Sequence, residues 1–177
     1  MNFEIKRLKN ITDTYFSEAW KLYQEAFPEE ERRLLDTQII ILKNSKYHFE
    51  VILHENKFIG FLLWWNFESL HFIDHFATDS IHRNKGYGKK ILENFIKNSR
   101  KTVLLEVELP NSEINKRRIQ FYERIGFQLN SHYYETPALS VGKEAFQLLL
   151  MSYPSLICSK DFEKFTTIYQ PIIFKNR

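Results

Sequence analysis

The stretch that decides the reading of this chain is residues 75–92, His75-Phe76-Ala77-Thr78-Asp79-Ser80-Ile81-His82-Arg83-Asn84-Lys85-Gly86-Tyr87-Gly88-Lys89-Lys90-Ile91-Leu92. Its first residues end an apolar, imperfectly alternating run over 69–78, which predicts a strand. Its last residues open a helix over about 87–99, with Ile91, Leu92, Phe95 and Ile96 as the buried stripe. The turn between them, Arg83-Asn84-Lys85-Gly86-Tyr87-Gly88, exposes backbone N–H groups at a helix start, where the dipole favours an anion. Two glycines let the backbone approach a pyrophosphate without a Cβ in the way, and Arg83, Lys85 and Lys89 add positive charge. A plain flexible turn would carry the same glycines. Alone, the loop indicates a phosphate-bearing anion and nothing narrower.

Spacing removes two phosphate-binding alternatives. A dinucleotide fingerprint needs a third glycine where Ile91 stands, and an early strand. A Walker-type loop needs a hydroxyl after Gly-Lys, and Gly88-Lys89-Lys90 lacks both that group and the preceding gap. The arrangement present is Arg/Gln-x-x-Gly-x-Gly/Ala.

Outward from the loop, alternation over 3–8 predicts an opening strand. Phe16, Ala19, Trp20, Tyr23 and Phe27 recur at helical spacing, predicting a helix over 13–27. Pro28 interrupts it, and Glu29-Glu30-Glu31 begins a second predicted helix running to about Lys43. Strands over 47–53 and 57–65 flank the polar turn His54-Glu55-Asn56 as a hairpin. After the loop helix come a buried strand over 102–107 and a helix over 114–125 closed by Gly126. A last strand pair is predicted over 127–134 and 145–152. A further helix over 160–169 and a final strand at 172–174 complete the reading. The strand–helix–strand unit implies one parallel pair with a right-handed crossover. The fold class is therefore mixed α/β, a mostly antiparallel sheet flanked by helices. Residues 1–152 are expected to form one domain, with 153–177 an extension packed on it.

Composition sets bounds. The chain has 177 residues, 44% apolar and 27% charged, as in ordinary soluble globular proteins. Its formal net charge of +3 suits a phosphorylated small molecule better than nucleic acid, whose binders concentrate more charge. No apolar run is long enough to span a bilayer, and the charged N-terminus does not resemble a signal peptide, so a cytoplasmic location is expected. The single cysteine, Cys158, forms no internal disulfide and reads as a small hydrophobe. No metal-ligand pattern is present, and nothing decides between monomer and homodimer.

The stretch 75–92 resembles the acetyl-CoA-binding motif of the GNAT acetyltransferase superfamily. A second stretch, Asn115-Lys116-Arg117-Arg118-Ile119-Gln120-Phe121-Tyr122-Glu123-Arg124-Ile125-Gly126-Phe127, is similar to that family's Asn…Phe/Leu-Tyr-Glu-x-x-Gly-Phe helix. The resemblance follows the element order of residues 3–152 and is motif-specific over 75–127. It implies a GNAT-like fold with a splayed strand pair, and transfer of an acetyl group from acetyl-CoA to a primary amine of a small molecule or protein. By the same resemblance, backbone groups at Phe76 and Thr78 hold the pantetheine arm, with Asn115 in contact. The amides of Asn84, Lys85, Gly86, Tyr87, Gly88 and Lys89, beside Arg83, hold the pyrophosphate. Tyr122 protonates the leaving thiolate.

An ammonium must lose a proton before it attacks a thioester, so a base is required. Glu106 is the candidate, resembling a Leu-Glu-Val segment in which some relatives place it. Glu108 and His75 are weaker substitutes, His75 reading better as a satisfied strand histidine. Two features depart from the family pattern: a long connection over 108–113, and Arg118 where a small residue is common. Acceptor-side candidates are the run from Phe27 to Arg32, Trp64, Trp65, and His132-Tyr133-Tyr134-Glu135, although Glu29-Glu30-Glu31 also suits a solvated helix start. One alternative stays open, a non-catalytic acyl-CoA-binding module. A nucleic-acid binder using Arg83, Lys85, Lys89 and Lys90 is set aside, because the net charge is modest and no recognition-helix pattern is present.

Overall fold

The chain begins with β1 (Glu4–Leu8), α1 (Phe16–Ala26), a 3-10 turn at Glu29–Glu31 and α2 (Leu35–Ile41). Three strands follow, β2 (Tyr47–His54), β3 (Lys57–Asn66) and β4 (Leu70–Thr78), and then α3 (Tyr87–Asn98), β5 (Thr102–Glu108) and α4 (Glu113–Glu123). Short β6 (Gln128–Leu129) and β7 (Tyr134–Glu135) precede β8 (Gln147–Tyr153). The C-terminus is helical: α5 (Ser159–Lys164), a π-turn at Phe165–Tyr169, and α6 (Gln170–Phe174). This computed structural model describes residues 2–137 and 145–175; the Glu30 side chain lies outside the described part.

The strands form one eight-stranded sheet in the order β1-β2-β3-β4-β5-β8-β6, with β7 also on β8. Every pairing is antiparallel except β4 with β5, the pair joined through α3. That parallel pairing is short, from Leu70↔Thr102 to Ile73↔Leu105. Beyond it β5 stays with β8 as far as Glu108↔Leu148, while β4 stays with β3 as far as Thr78↔Gly60. The sheet therefore splays between the C-terminal halves of β4 and β5. The β3–β4 register also slips: Leu63 faces His75 and Trp64 faces Ile73, leaving Asp74 as the extra, bulged residue.

Side-chain alternation divides the core between the two faces of the sheet. On the first face α1 and the C-terminal helices bring Phe16, Tyr23, Phe165 and Ile173 onto Phe49, Phe61, Phe72, Leu104 and Leu150. On the second, α3 and α4 bring Ile91, Leu92, Ile96 and Ile119 onto Ile52, Leu62, Val103, Leu105 and Met151. Each large apolar side chain removed from water contributes about 1.5–3 kcal/mol. The C-terminal segment belongs to the first cluster through Ile157, Phe165, Tyr169, Ile173 and Phe174.

Three sequence expectations are corrected. The second helix does not run from Glu29 to Lys43. Arg32 and Leu34 are extended (ψ 146° and 153°) because Arg33 turns inward to Asp74 at 2.5 Å, and α2 starts only at Leu35. The strand over 127–134 shrinks to two pairs of residues. In its place the buried Asn130 side chain donates to Ser152 Oγ at 2.9 Å and accepts from Ile157 N at 3.0 Å. Residues 172–174 are helical, because Phe165, Tyr169 and Ile173 form one stripe at a spacing of four and Pro171 sits in the first turn of α6, where it costs no hydrogen bond.

Candidate active site

The splay opens into a cleft of about 680 Å³. One wall is the free half of β4, including Phe76 and Thr78, and the other is Leu105 to Glu108 of β5. Among the described residues no strand pairs with the β5-facing edge of 74–78, so an unpaired sheet edge faces the cleft. The start of α3 closes one end. Asp79 caps the short turn Ser80–His82 by accepting from Ile81 N at 3.0 Å, which directs the chain into the loop. Asn84 and Gly86 then take positive φ, +59° and +79°. At Gly86 this left-handed conformation costs a glycine little, and a Cβ there would meet nothing within 4 Å. Gly86 precedes the first turn of α3, which has no side-chain cap, so the amides of Tyr87, Gly88 and Lys89 lack intrahelical acceptors. A Cβ on Gly88 would make only ordinary contacts with the protein, 3.5 Å from Phe121 Cζ and 3.7 Å from Phe76.

Arg83, Asn84, Gly86, Tyr87, Gly88 and Lys89 all line this end with Phe76 and Thr78, and Arg124, just past the end of α4, joins them. Arg83 Nε donates to the Thr78 carbonyl at 3.2 Å, tying the loop to the strand edge. Lys85 is exposed and does not line the cleft. Asn115 does not line it either. Its Nδ2 donates to Leu109 O at 3.0 Å and its N–H to Ser112 Oγ at 3.1 Å, so it fastens the long β5–α4 connection.

Tyr122 and Glu106 meet at this cleft from opposite faces of the sheet. Tyr122 packs with the second-face cluster; Glu106 alternates with Val107 and so shares the first face with Leu104. Burial pushes the Tyr122 phenol up to about 12; Glu108 adds to this and Arg118 opposes it. Tyr122 is therefore a protonated donor throughout the neutral range. Burial works against the Arg118 cation, yet the hydrogen bond and charge of Glu108 outweigh it, and Arg118 is held above its ordinary value. Arg118 is thus committed to Glu108 at the cleft wall, one helical turn before Tyr122. Glu106 accepts a hydrogen bond from the Tyr134 hydroxyl.

At the other end the cleft is lined by Ala26, Phe27, Glu31, His75, Phe146 and Leu148. His75 is buried, with Nε2 3.2 Å from the Glu31 carbonyl and the rings of Tyr23 and Phe27 edge-on at 5.0 and 4.6 Å. Of the acceptor-side candidates, Phe27 and Glu31 reach the cleft. Trp64 and Trp65 are core residues, Trp64 stacked on His48 at 3.9 Å and Trp65 donating to Asp74 Oδ2 at 3.2 Å. His132 stacks on Phe162 at 4.5 Å, and Tyr133 is exposed.

Sequence reasoning missed the Arg33–Asp74 pair under this end, both side chains 0% exposed. An acid inside the apolar run Phe72-Ile73-Asp74 was a readable signal that a buried cation must exist. Nothing in the sequence pointed from Tyr134 to Glu106.

The fold and cleft define a class: a splayed mixed sheet with an uncapped helix N-terminus beside an unpaired strand edge. Residues 12–127 match the model of the acetyltransferase (GNAT) family, and the chain belongs to that family. A GNAT-family protein from Bacteroides thetaiotaomicron is 32% identical, with a TM-score of 0.86 over 94% of this chain and 98% of that one. Two more distant structures share the fold. The ribosomal-protein-S18-alanine N-acetyltransferase from Escherichia coli is 18% identical with a TM-score of 0.60, over 90% of this chain and 98% of that one. A Bacillus subtilis acetyltransferase in complex with CoA is 15% identical with a TM-score of 0.58, over 85% and 97%. No curated protein matches the sequence. Among the described residues no helix is long and apolar enough to cross a membrane.

Proposed function

We propose that the protein transfers the acetyl group of acetyl-CoA to a primary amine on a small molecule or protein. The observation that carries this reading is the convergence on one cleft of an uncapped helix start, an unpaired strand edge, Tyr122 and Glu106. The residues fit the donor. The amides of Tyr87, Gly88 and Lys89, with Arg83 and Arg124 nearby, would hold the pyrophosphate. The edge at 76–78 would take the pantetheine arm as an added strand, and Asn115 supports the opposite, β5 wall through the β5–α4 connection. The bound thioester supplies an activated acyl carbon.

Glu106 accepts a proton from the ammonium, freeing the nitrogen lone pair to bond to the acyl carbon. As the carbon–sulfur bond breaks, Tyr122 gives its proton to the departing sulfur, and the second proton shed by the acylated nitrogen returns to the Tyr122 phenolate. The products are an acetylated amine and the free thiol. Solved relatives named for S18-alanine, spermidine and aminoglycoside acetylation support an amine acceptor as a class.

The test is thiol release from acetyl-CoA with n-butylamine, benzylamine, spermidine and a lysine-containing peptide as acceptors. Tyr122→Phe and Glu106→Gln should each lower kcat by about 10²–10⁴ with acetyl-CoA binding intact. Wild-type rates in both variants would refute the roles of Tyr122 as acid and Glu106 as base. Tight acetyl-CoA binding with no transfer to any of these amines would favour a non-catalytic acyl-CoA-binding module.

A further inference from the structure

We propose that Tyr134 is a positioning residue for Glu106, and that through it the C-terminal helices brace the proton-accepting side of the cleft. This rests on the reading of Glu106 as the base.

Tyr134 on β7 stands opposite Leu148 of β8, while Glu106 on β5 stands opposite Leu150, so β8 lies between them. Leu148 and Leu150 belong to the first-face core, and the phenol crosses that face of β8 to donate its O–H to Glu106 Oε1. The tyrosine is held in turn. It is 1% exposed, and its ring lies 5.9 Å from that of Phe165 in the π-turn of the C-terminal segment. A second tie joins β7 to α6 of the same C-terminal segment, Gln170 Nε2 donating to Glu135 O at 2.9 Å.

The need for such a brace follows from the splay. Glu106 lies just past the last β4–β5 pair, Ile73↔Leu105, so its strand has lost its neighbour on the cleft side. A glutamate has three rotatable bonds, and main-chain pairing with β8 fixes none of them. The hydrogen bond from this locked side chain restrains Oε1, and with it the direction from which a proton is accepted. Rates are sensitive to this, because misplacement of a reacting group by about 1 Å can cost 10²-fold. The C-terminal residues thus contribute to the site without lining it.

Crystal structures of the wild type and Tyr134→Phe, each with acetyl-CoA, test the proposal without knowledge of the acceptor. The substituted ring should keep its place against Phe165, while the Glu106 carboxylate rotates or splits between conformers. An unmoved carboxylate overturns the proposal. If Tyr134→Phe does not fold, Phe165→Leu, which loosens the ring's backing, should produce the same spread. With the amine giving the fastest thiol release, Tyr134→Phe should lower kcat roughly ten- to hundredfold at unchanged KM for acetyl-CoA. An unchanged kcat also overturns it. Full activity in Glu106→Gln would instead sink the reading of Glu106 as the base, while the structural comparison would still show whether Tyr134 holds that carboxylate.

Discussion

Replacing Asp74 by alanine removes the carboxylate that accepts from Arg33 Nη2 at 2.5 Å and from Trp65 Nε1 at 3.2 Å. Both charged side chains are 0% exposed, so the variant leaves a guanidinium in the protein interior without its counter-charge. Breaking a buried pair from one side costs about 3–5 kcal/mol. That is a large share of a domain's total stability of roughly 5–15 kcal/mol. In a chain of 177 residues each kcal/mol moves the midpoint by about 2–4 °C, so the melting temperature should fall by roughly 6–20 °C. The double variant Arg33→Met/Asp74→Leu should recover much of this, since well-packed apolar residues often replace a buried pair at little cost. Urea unfolding followed by far-ultraviolet circular dichroism measures all the variants. An Asp74→Ala protein within about 1 kcal/mol of wild type would refute the argument, as would a double variant whose loss is the sum of the two single losses.

Other consequences concern the glycines and the titrating core. A Cβ on Gly60 would sit 2.2 Å from the Ala77 carbonyl oxygen and 2.9 Å from Thr78 Cα, so Gly60→Ala must push β3 from β4. It should destabilise by about 1–3 kcal/mol and weaken acetyl-CoA binding at the strand edge, read by chemical denaturation and calorimetry. Gly86→Ala meets no clash but forces a side chain into φ +79°, so a loss of about 1–2 kcal/mol is expected with the fold retained. His71 is lowered to about 4, first by burial and then by Lys101. Between pH 6.5 and 4 the unfolded chain therefore binds a proton at His71 that the folded protein does not. Its contribution is complete above pH 6.5 and falls as the pH drops through that window. His71→Gln should flatten this part of the dependence, seen in urea midpoints at pH 7 and pH 4.5.

Legibility in the sequence followed locality. The turn at 83–88 and the Gly126 cap were readable because positive φ at glycine is a property of a few adjacent residues. The single parallel pair followed from one strand–helix–strand unit, and the structure has it as β4–α3–β5. Other features depended on partners far along the chain. Arg33 breaks a predicted helix because of Asp74, 41 residues away, and nothing local announces that. The helix at 172–174 was hidden by Pro171, whose missing N–H matters only inside a helix, not in a first turn. Asn115 was expected in the cleft, yet its side chain closes a loop that is longer than the motif pattern. Tyr134 could be placed beside Glu106 only once β8 was seen between them.

Titration of the protein with acetyl-CoA, read as the unfolding midpoint and compared with ADP and with free pantetheine, tests the central claim most directly. Acetyl-CoA at about 100 times its dissociation constant should stabilise the native state by about 2.7 kcal/mol. For this chain length that is a rise of roughly 5–11 °C. The rise should shrink in Gly86→Ala, where the loop is disturbed, and neither fragment should match it at equal concentration. No rise with acetyl-CoA at millimolar concentration, or an equal rise with ADP alone, would contradict the assignment of this cleft to an acyl-CoA donor.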